Sequence, residues 1–109
     1  MKFTCGCGEL IFDSTDDLSH KGHLIPDERW NAMWDALDNE VIGAVARGHI
    51  TKDGAAMHAR QIVRAAGERL MYQCHNCGRL FIDDYQGQLH CFVPEEASTP
   101  KQLLRKPVI

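Results

Sequence analysis

The sequence predicts an α+β protein, and three features of the chain support that class. Two cysteine-containing turns, Cys5-Gly6-Cys7-Gly8 and Cys74-His75-Asn76-Cys77-Gly78, each lead into a short apolar segment typical of a strand. Another apolar segment follows across Asp84-Tyr85-Gln86-Gly87, which predicts a β-hairpin over residues 80–93. Between the two turns, apolar residues recur every three or four positions, as they do in amphipathic helices.

The first helix is predicted over residues 26–46. Pro26 suits the first turn of a helix, and Asp27 and Glu28 suit its positive N-terminal end. A second helix is predicted over residues 53–66, with Thr51 or Asp53 as its cap and a glycine at its end. The small residues of the second helix allow close approach to the first, so we expect an antiparallel helical pair. Its predicted core is Trp30, Met33, Trp34, Leu37, Val41, Ile62 and Val63.

The chain is predicted to form one domain over residues 1–94, into which residues 26–67 insert the helical pair. A length of 109 residues, 44% apolar and 25% charged, is ordinary for one globular domain. Residues 14–25 are polar and are expected to form a loop. Residues 95–109 contain two prolines and few large apolar side chains, and are expected to form a loosely held tail.

The cysteines and the N-terminus favour a cytoplasmic location. No apolar run approaches the length of a membrane span, and the N-terminus lacks the apolar region of a secretory signal. Five cysteines is an odd number, and a Cys-x-x-Cys pair without a signal favours a reducing compartment over a disulfide framework.

The four cysteines of the two turns predict a metal site. Aligned on Cys7 and Cys77, both halves read Cys-Gly-x-Leu, then two apolar residues, then aspartate. A thiolate pair must sit on a tight turn if both sulfurs are to face one ion, and Gly8 and Gly78 permit such a turn. Zinc takes four thiolates in structural sites, commonly from two cysteine pairs separated in sequence.

The Cys74/Cys77 turn, with Gly78 and the strand after it, resembles the knuckle of zinc ribbons and rubredoxin-like domains. The resemblance extends to the N-terminal turn and the hairpin, but not to the helices. It implies one structural Zn²⁺ held by Cys5, Cys7, Cys74 and Cys77. The first pair departs from the pattern because one residue, not two, separates its cysteines. Iron remains an alternative metal, and the alternative ligands are Cys91, His90, His20 and His23.

No residue pattern predicts an enzyme. The acidic residues show no paired-carboxylate motif, and there is no nucleophile elbow or phosphate loop. A catalytic zinc keeps an open coordination position, whereas four thiolates close the site. The sequence therefore predicts a non-enzymatic protein.

The charge distribution favours a basic protein partner. Residues 9–40 hold nine acids and two bases, about −7, although the whole chain has a net charge of only −3. Trp30 and Trp34 lie one helical turn apart and are expected either to pack in the core or to anchor a partner. In layout alone, the chain is similar to small bacterial accessory proteins, including immunity proteins that neutralise a toxin. The predicted partner-binding residues are Asp16, Asp17, Asp27, Glu28, Trp30, Trp34, Asp35 and Asp38.

Two other functions stay open at this stage, and neither involves a membrane. Many zinc ribbons bind nucleic acid, and Arg60, Arg64 and Arg69 of this chain would supply the phosphate contacts. The acidic segment counts against that interpretation. A structural subunit of a larger assembly is the other alternative, and it shares its sequence features with the protein-binding module.

Overall fold

The predicted α+β class is confirmed by the computed structural model, which describes residues 1–107. The strands of this region are β1 (Lys2–Thr4), β2 (Leu10–Phe12), β3 (Lys21–Leu24), β4 (Arg69–Gln73), β5 (Leu80–Asp83) and β6 (Leu89–Phe92). The helices are α1 (Asp27–Ala36), α2 (Gly43–Ala46) and α3 (Lys52–Ala65), and a π-helical segment, Leu37–Ile42, joins α1 to α2. None of these helices has the length and apolar character needed to cross a membrane.

The chain divides into two units. The sheet unit comprises Met1–Leu24 and the chain from Arg69 onward, and the helical unit comprises Ile25–Glu68. The helical unit therefore interrupts the sheet unit in sequence, between β3 and β4. Both cysteine turns belong to the sheet unit, although Cys7 and Cys74 are 67 positions apart in the chain.

Two antiparallel sheets build the sheet unit. Strands β1 and β2 pair with Phe3 opposite Ile11, and the remaining strands form a sheet in the order β3-β4-β5-β6. The ring of Phe3 packs edge-on against Tyr72 of β4 and Phe81 of β5, with centroids 5.4 and 5.0 Å apart. The buried core cluster consists of Cys5, Ile11, Tyr72, Cys74 and Phe81. One cysteine of each turn is thus part of the hydrophobic core.

The two aspartates that end the matched halves both hydrogen-bond to strand β4. Asp13 accepts a hydrogen bond from the buried hydroxyl of Tyr72 and forms a 2.8 Å ion pair with Lys21. Asp83 accepts a hydrogen bond of 2.8 Å from the backbone amide of Leu70. The pKa of the Asp13 carboxyl lies below its usual range, mainly because of the hydrogen bond from Lys21 and next because of the hydrogen bond from Tyr72. Each aspartate therefore ties its own half to the central strand.

Strand β3 lies where the sequence predicts only a polar loop, over residues 14–25. It pairs antiparallel with β4, and His23 lies opposite Leu70. The prediction is wrong because the strand depends on distant residues and not on its own hydrophobic pattern. The tail covers part of one face of this strand, since a Cβ built on Gly22 would lie 3.5 Å from the side chain of Leu104.

The tail is held more firmly than the sequence predicts. Gln73 of β4 is 1% exposed, and its amide nitrogen donates hydrogen bonds to the carbonyls of Gly78 (3.3 Å) and Pro100 (3.0 Å). Its amide oxygen accepts a hydrogen bond of 2.7 Å from the backbone amide of Leu103. One buried side chain therefore fixes the tail to the sheet at two points.

The helical unit follows the predicted boundaries closely. Helix α1, the π-helical segment and α2 run continuously from residue 27 to residue 46, compared with the predicted 26–46. Helix α3 spans residues 52–65, compared with the predicted 53–66. The hydroxyl of Thr51 caps α3 by accepting a 3.1 Å hydrogen bond from the amide of Gly54. The π-helical segment was not predicted, because a widened turn leaves little trace in a three- to four-residue pattern.

The predicted core of the helical unit is largely wrong. Met33 alone of the seven predicted residues is buried, whereas Trp30 and Trp34 are 45% and 48% exposed. The other four, Leu37, Val41, Ile62 and Val63, are half-buried. Helical periodicity identifies the apolar face of a helix, but it does not show whether another element covers that face. Here the remaining buried side chains are the small ones of Ala44, Ala55 and Ala66.

Candidate metal centre

The first cysteine turn connects β1 to β2. Its backbone closes through two hydrogen bonds: the amide of Gly8 donates to the carbonyl of Cys5 (2.9 Å), and the amide of Cys5 donates to the carbonyl of Glu9 (2.8 Å). Gly8 has φ +98°, a conformation that a residue with a Cβ rarely adopts. This turn brings the side chains of Cys5 and Cys7 to one side of the backbone.

The second turn connects β4 to β5 and repeats the same arrangement with one more residue. The amide of Gly78 donates to the carbonyl of Cys74 (2.8 Å), and the amide of Cys74 donates to the carbonyl of Arg79 (2.9 Å). Gly78 has φ +84°, like its counterpart in the first turn. The extra residue lies between the two cysteines, so the short Cys-x-Cys spacing of the first turn still forms a closed turn of the same kind.

The two turns bring all four sulfurs together. Cys5 Sγ lies 3.5 Å from Cys77 Sγ, and Cys7 Sγ lies 3.6 Å from Cys74 Sγ. All four sulfurs lie within 4.8 Å of one another, and all four cysteines are free thiols. A tetrahedral site with metal–sulfur bonds of about 2.3 Å has sulfur–sulfur edges of about 3.8 Å. The cluster therefore has the size required to hold one metal ion.

The structure does not bring the alternative ligands into this cluster. Cys91 lies exposed on β6, and its backbone pairs with Phe81. His90 Nε2 lies 2.7 Å from an Asp84 carboxylate oxygen, and His20 Nε2 lies 2.6 Å from the carbonyl oxygen of Phe12. His23 is an exposed residue of β3. Among the described residues, the group that could hold an ion is the set of four cysteines.

Burial and hydrogen bonding shift the pKa values of three of the four thiols, and not all in the same direction. Burial raises the pKa of the Cys74 thiol to about 12, and it also raises the pKa of Cys5. A hydrogen bond from the Asn76 side chain, 3.4 Å from Cys7 Sγ, is the main cause of a pKa of about 6 at Cys7. Metal ligands must be deprotonated, so loading the site displaces protons from the two buried thiols.

Arg79 supplies positive charge beside the cluster. Its guanidinium nitrogen Nη1 lies 3.6 Å from Cys77 Sγ and 3.9 Å from Cys5 Sγ. Four thiolates around a divalent ion leave a net charge of −2, and a neighbouring guanidinium offsets part of that charge. Neither Asn76 nor Arg79 is distinguishable by sequence reasoning from an ordinary turn residue, so this outer shell was not predicted. Its only signal is position, inside or just after the second turn.

Replacing Arg79 by methionine is expected to weaken metal binding while leaving the four ligands in place. Loss of an outer-shell partner of a metal site commonly lowers affinity by about 10- to 100-fold. Competition with a chromophoric chelator should show a change in this range for Arg79→Met. The matched control, Arg105→Met in the exposed tail, should bind the metal as the unchanged chain does. Equal affinities for both variants would contradict a role for the guanidinium at the sulfurs.

The residues predicted to bind a partner are all exposed. Asp16 and Asp17 lie in the loop before β3, and Asp17 has φ +61°. The other six lie on the helical unit, at Asp27, Glu28, Trp30, Trp34, Asp35 and Asp38. The rings of Trp30 and Trp34 contact each other edge to face, with centroids 5.7 Å apart. The structure thus places an exposed aromatic pair among the acidic residues of one helix.

Comparison with known protein families finds a match over most of the chain. A family model described as a domain of unknown function (DUF8617) matches residues 1–96. The matched range includes the four cysteines of the cluster, both sheets and the helical unit. No curated protein and no solved structure matches the chain.

Proposed function

This chain belongs to the DUF8617 family, and we propose that it is a non-enzymatic, zinc-stabilised module that binds a basic partner protein. The observation that carries the proposal is the exposed Trp30–Trp34 pair among the acids of α1. The cysteine cluster supplies stability, and the helical unit supplies the binding surface.

Zinc is the proposed ion because the ligand set is four cysteines and nothing else. Tetrahedral thiolate sites select zinc or iron, and closed sites of this type in structural knuckles most often hold zinc. A catalytic zinc needs a coordination position open to water or substrate, and four thiolates leave none. The cluster therefore supports a structural role, and with it a function that lies in binding.

The tryptophan pair has the chemistry of a binding anchor. Trp30 and Trp34 together expose a large apolar area, and tryptophan is enriched among the residues that dominate binding energy at interfaces. Tryptophan faces also attract the cations of lysine and arginine side chains. The neighbouring carboxylates of Asp27, Asp35 and Asp38 favour the same cations. A basic protein surface satisfies both the aromatic and the acidic parts of this face.

The small core of the helical unit supports an interface as well. Ile42, Val45 and Met57 are exposed in addition to the two tryptophans, while most of the buried side chains are alanines. Contiguous exposed apolar patches mark interaction sites, and the edge-to-face contact of Trp30 and Trp34 makes these two side chains one patch. An acidic surface of this kind also speeds the encounter with a basic partner, which suits an immunity-type inhibitor or adaptor.

Reversing the charge of Asp35 and Asp38 together, to lysine, is expected to slow association with the partner by roughly tenfold or more at low salt. Affinity capture from the source cell identifies candidate partners, and stopped-flow mixing with each purified partner measures the rate. Trp30 and Trp34 are the only tryptophans of the chain, so their fluorescence reports binding directly. The double variant should also show a flatter salt dependence and an unchanged metal content.

The matched control reverses Glu95 and Glu96 in the exposed tail, which changes the net charge by the same amount. Association of this control should stay close to that of the unchanged chain. A partner whose binding is insensitive to salt and to the Asp35/Asp38 reversal would overturn the proposal. Tight binding to nucleic acid that depends on Arg60 and Arg64 would support the nucleic-acid alternative in its place.

A further inference from the structure

A second surface of the helical unit is an open apolar groove between α1 and α3. Its volume is about 210 Å³. The lining residues are Arg29, Ala32, Met33, Ala36, Glu40, Ile62, Ala65 and Ala66. Trp30 and Trp34 lie outside this set, so the groove is separate from the proposed partner-binding face.

The two charged residues of the groove have a self-complementary arrangement. Arg29 and Glu40 lie 11 residues apart on one continuous helix, a separation of about 16 Å along the axis. Glu40 has only a marginal ion pair within the unit, at 4.0 Å from His58 Nε2. If a second copy of the helix lies antiparallel across the groove, each Arg29 faces Glu40 of the other copy. Such a contact has one ion pair at each end, and each pair joins Arg29 of one copy to Glu40 of the other.

The apolar residues between these charges fit the same register. In the antiparallel arrangement that places residue 29 opposite residue 40, residue 33 lies opposite residue 36. Met33 is 6% exposed, so it forms the buried floor of the groove and does not project toward the second copy. The small side chains of Ala32 and Ala36, one turn apart, lie beside it and permit close approach of the two backbones.

From these observations we infer that the groove between α1 and α3 binds the same groove of a second copy of this chain. The two helical pairs then form an antiparallel four-helix bundle with a two-fold axis between the α1 helices. An isologous contact of this kind requires one patch that complements itself, and the Arg29–Glu40 order along the helix meets that requirement. The bundle would bury additional apolar surface of a helical unit whose own core contains mainly alanines.

The dimer would leave the tryptophan face of each copy available, since neither tryptophan lines the groove. The module would then present two equivalent acidic faces to its partner. This inference does not depend on the proposed function, because the oligomeric state is measured without any partner.

Sedimentation equilibrium of the full chain should show a monomer–dimer equilibrium that shifts toward dimer at low salt. Arg29→Glu and Glu40→Arg should each raise the dimer dissociation constant by roughly tenfold or more, because both symmetry-related contacts become repulsive. An equimolar mixture of the two variants should dimerise again. In that mixture, the introduced glutamate of one variant faces the introduced arginine of the other, and the second contact pairs the unaltered Glu40 with the unaltered Arg29.

Two further variants complete the test. Arg29→Glu combined with Glu40→Arg in one chain should dimerise like the unchanged chain, and it keeps the test valid if a single variant fails to fold. Arg60→Glu, an exposed change on α3 outside the groove, should leave the dissociation constant unaltered. A chain that stays monomeric at millimolar concentration would overturn the inference. So would a dimer unaffected by the single reversals, or a mixture and a double variant that remain monomeric.

Discussion

Replacing Cys74 by serine is expected to abolish metal binding and to destabilise the sheet unit more than any other single change. Cys74 is 1% exposed, and its sulfur lies 3.6 Å from that of Cys7. It thus belongs both to the hydrophobic core and to the cluster. Removing the sulfur leaves three thiols, which cannot close a tetrahedral site, and it places an unpaired hydroxyl in the core.

The energetic consequence follows from the position of the site in the chain. The cluster joins the β1–β2 turn to the β4–β5 turn, and metal binding at such a site is coupled to folding. We expect the free energy of unfolding to fall by more than about 4 kcal/mol, in the range reserved for losses of a metal or a large core side chain. For a unit of this size, that corresponds to a melting temperature lower by more than about 15 °C.

Elemental analysis of the purified protein and a thermal melt followed by circular dichroism measure both effects. The unchanged chain should contain about one metal ion, and the analysis identifies the element as zinc or iron. Cys91→Ser is the matched control, because Cys91 is exposed on β6 and lies outside the cluster. It should keep its metal and its melting temperature. If Cys74→Ser also kept both, the four-cysteine site would be wrong.

The metal cluster illustrates what could be predicted from the sequence. A cysteine pair and a following glycine are local features, and their repetition in both chain segments of the sheet unit predicted that the two turns meet. The one-residue difference between Cys5-Gly6-Cys7 and Cys74-His75-Asn76-Cys77 was the weak point of that prediction. The structure accommodates the difference inside the turn, with the closing hydrogen bonds shifted by one residue.

The features that were mispredicted depend on contacts between distant residues. Strand β3 has no alternating pattern of its own. Its backbone forms hydrogen bonds with β4, which follows the whole helical unit in the sequence. Trp30 and Trp34 have the spacing of core residues, yet they are 45% and 48% exposed, whereas Met33 between them is buried. Local pattern fixes the type of an element, whereas its surroundings decide its burial.

Gln73 is the position where an inconspicuous residue is expected to matter most after the cysteines. Its side chain makes three hydrogen bonds, to the carbonyls of Gly78 and Pro100 and to the amide of Leu103, while itself fully buried. Gln73→Leu retains much of the volume but removes every donor and acceptor. A buried polar group left without its partner costs about 1–3 kcal/mol.

The expected loss of stability for Gln73→Leu is about 2–4 kcal/mol. The sum over three groups would be larger, but Pro100 and Leu103 belong to the tail and regain hydrogen bonds to water if the tail detaches. Detachment has its own signature, because the tail contains Lys101, Arg105 and Lys106. Trypsin should cleave the tail of the variant faster than that of the unchanged chain at a temperature where both remain folded.

Gln88→Leu provides the comparison for this experiment, since Gln88 is exposed in the β5–β6 turn region of the same unit. Chemical denaturation should give nearly the same unfolding free energy for Gln88→Leu as for the unchanged chain, and its tail should be cleaved at the same rate. A Gln73→Leu protein with unaltered stability and tail cleavage would show that the tail is held by other contacts, such as the packing of Leu104 near Gly22. A loss of stability without faster cleavage would mean that the lost free energy comes from the hydrogen bond between Gln73 Nε2 and the Gly78 carbonyl in the second cysteine turn, and not from detachment of the tail.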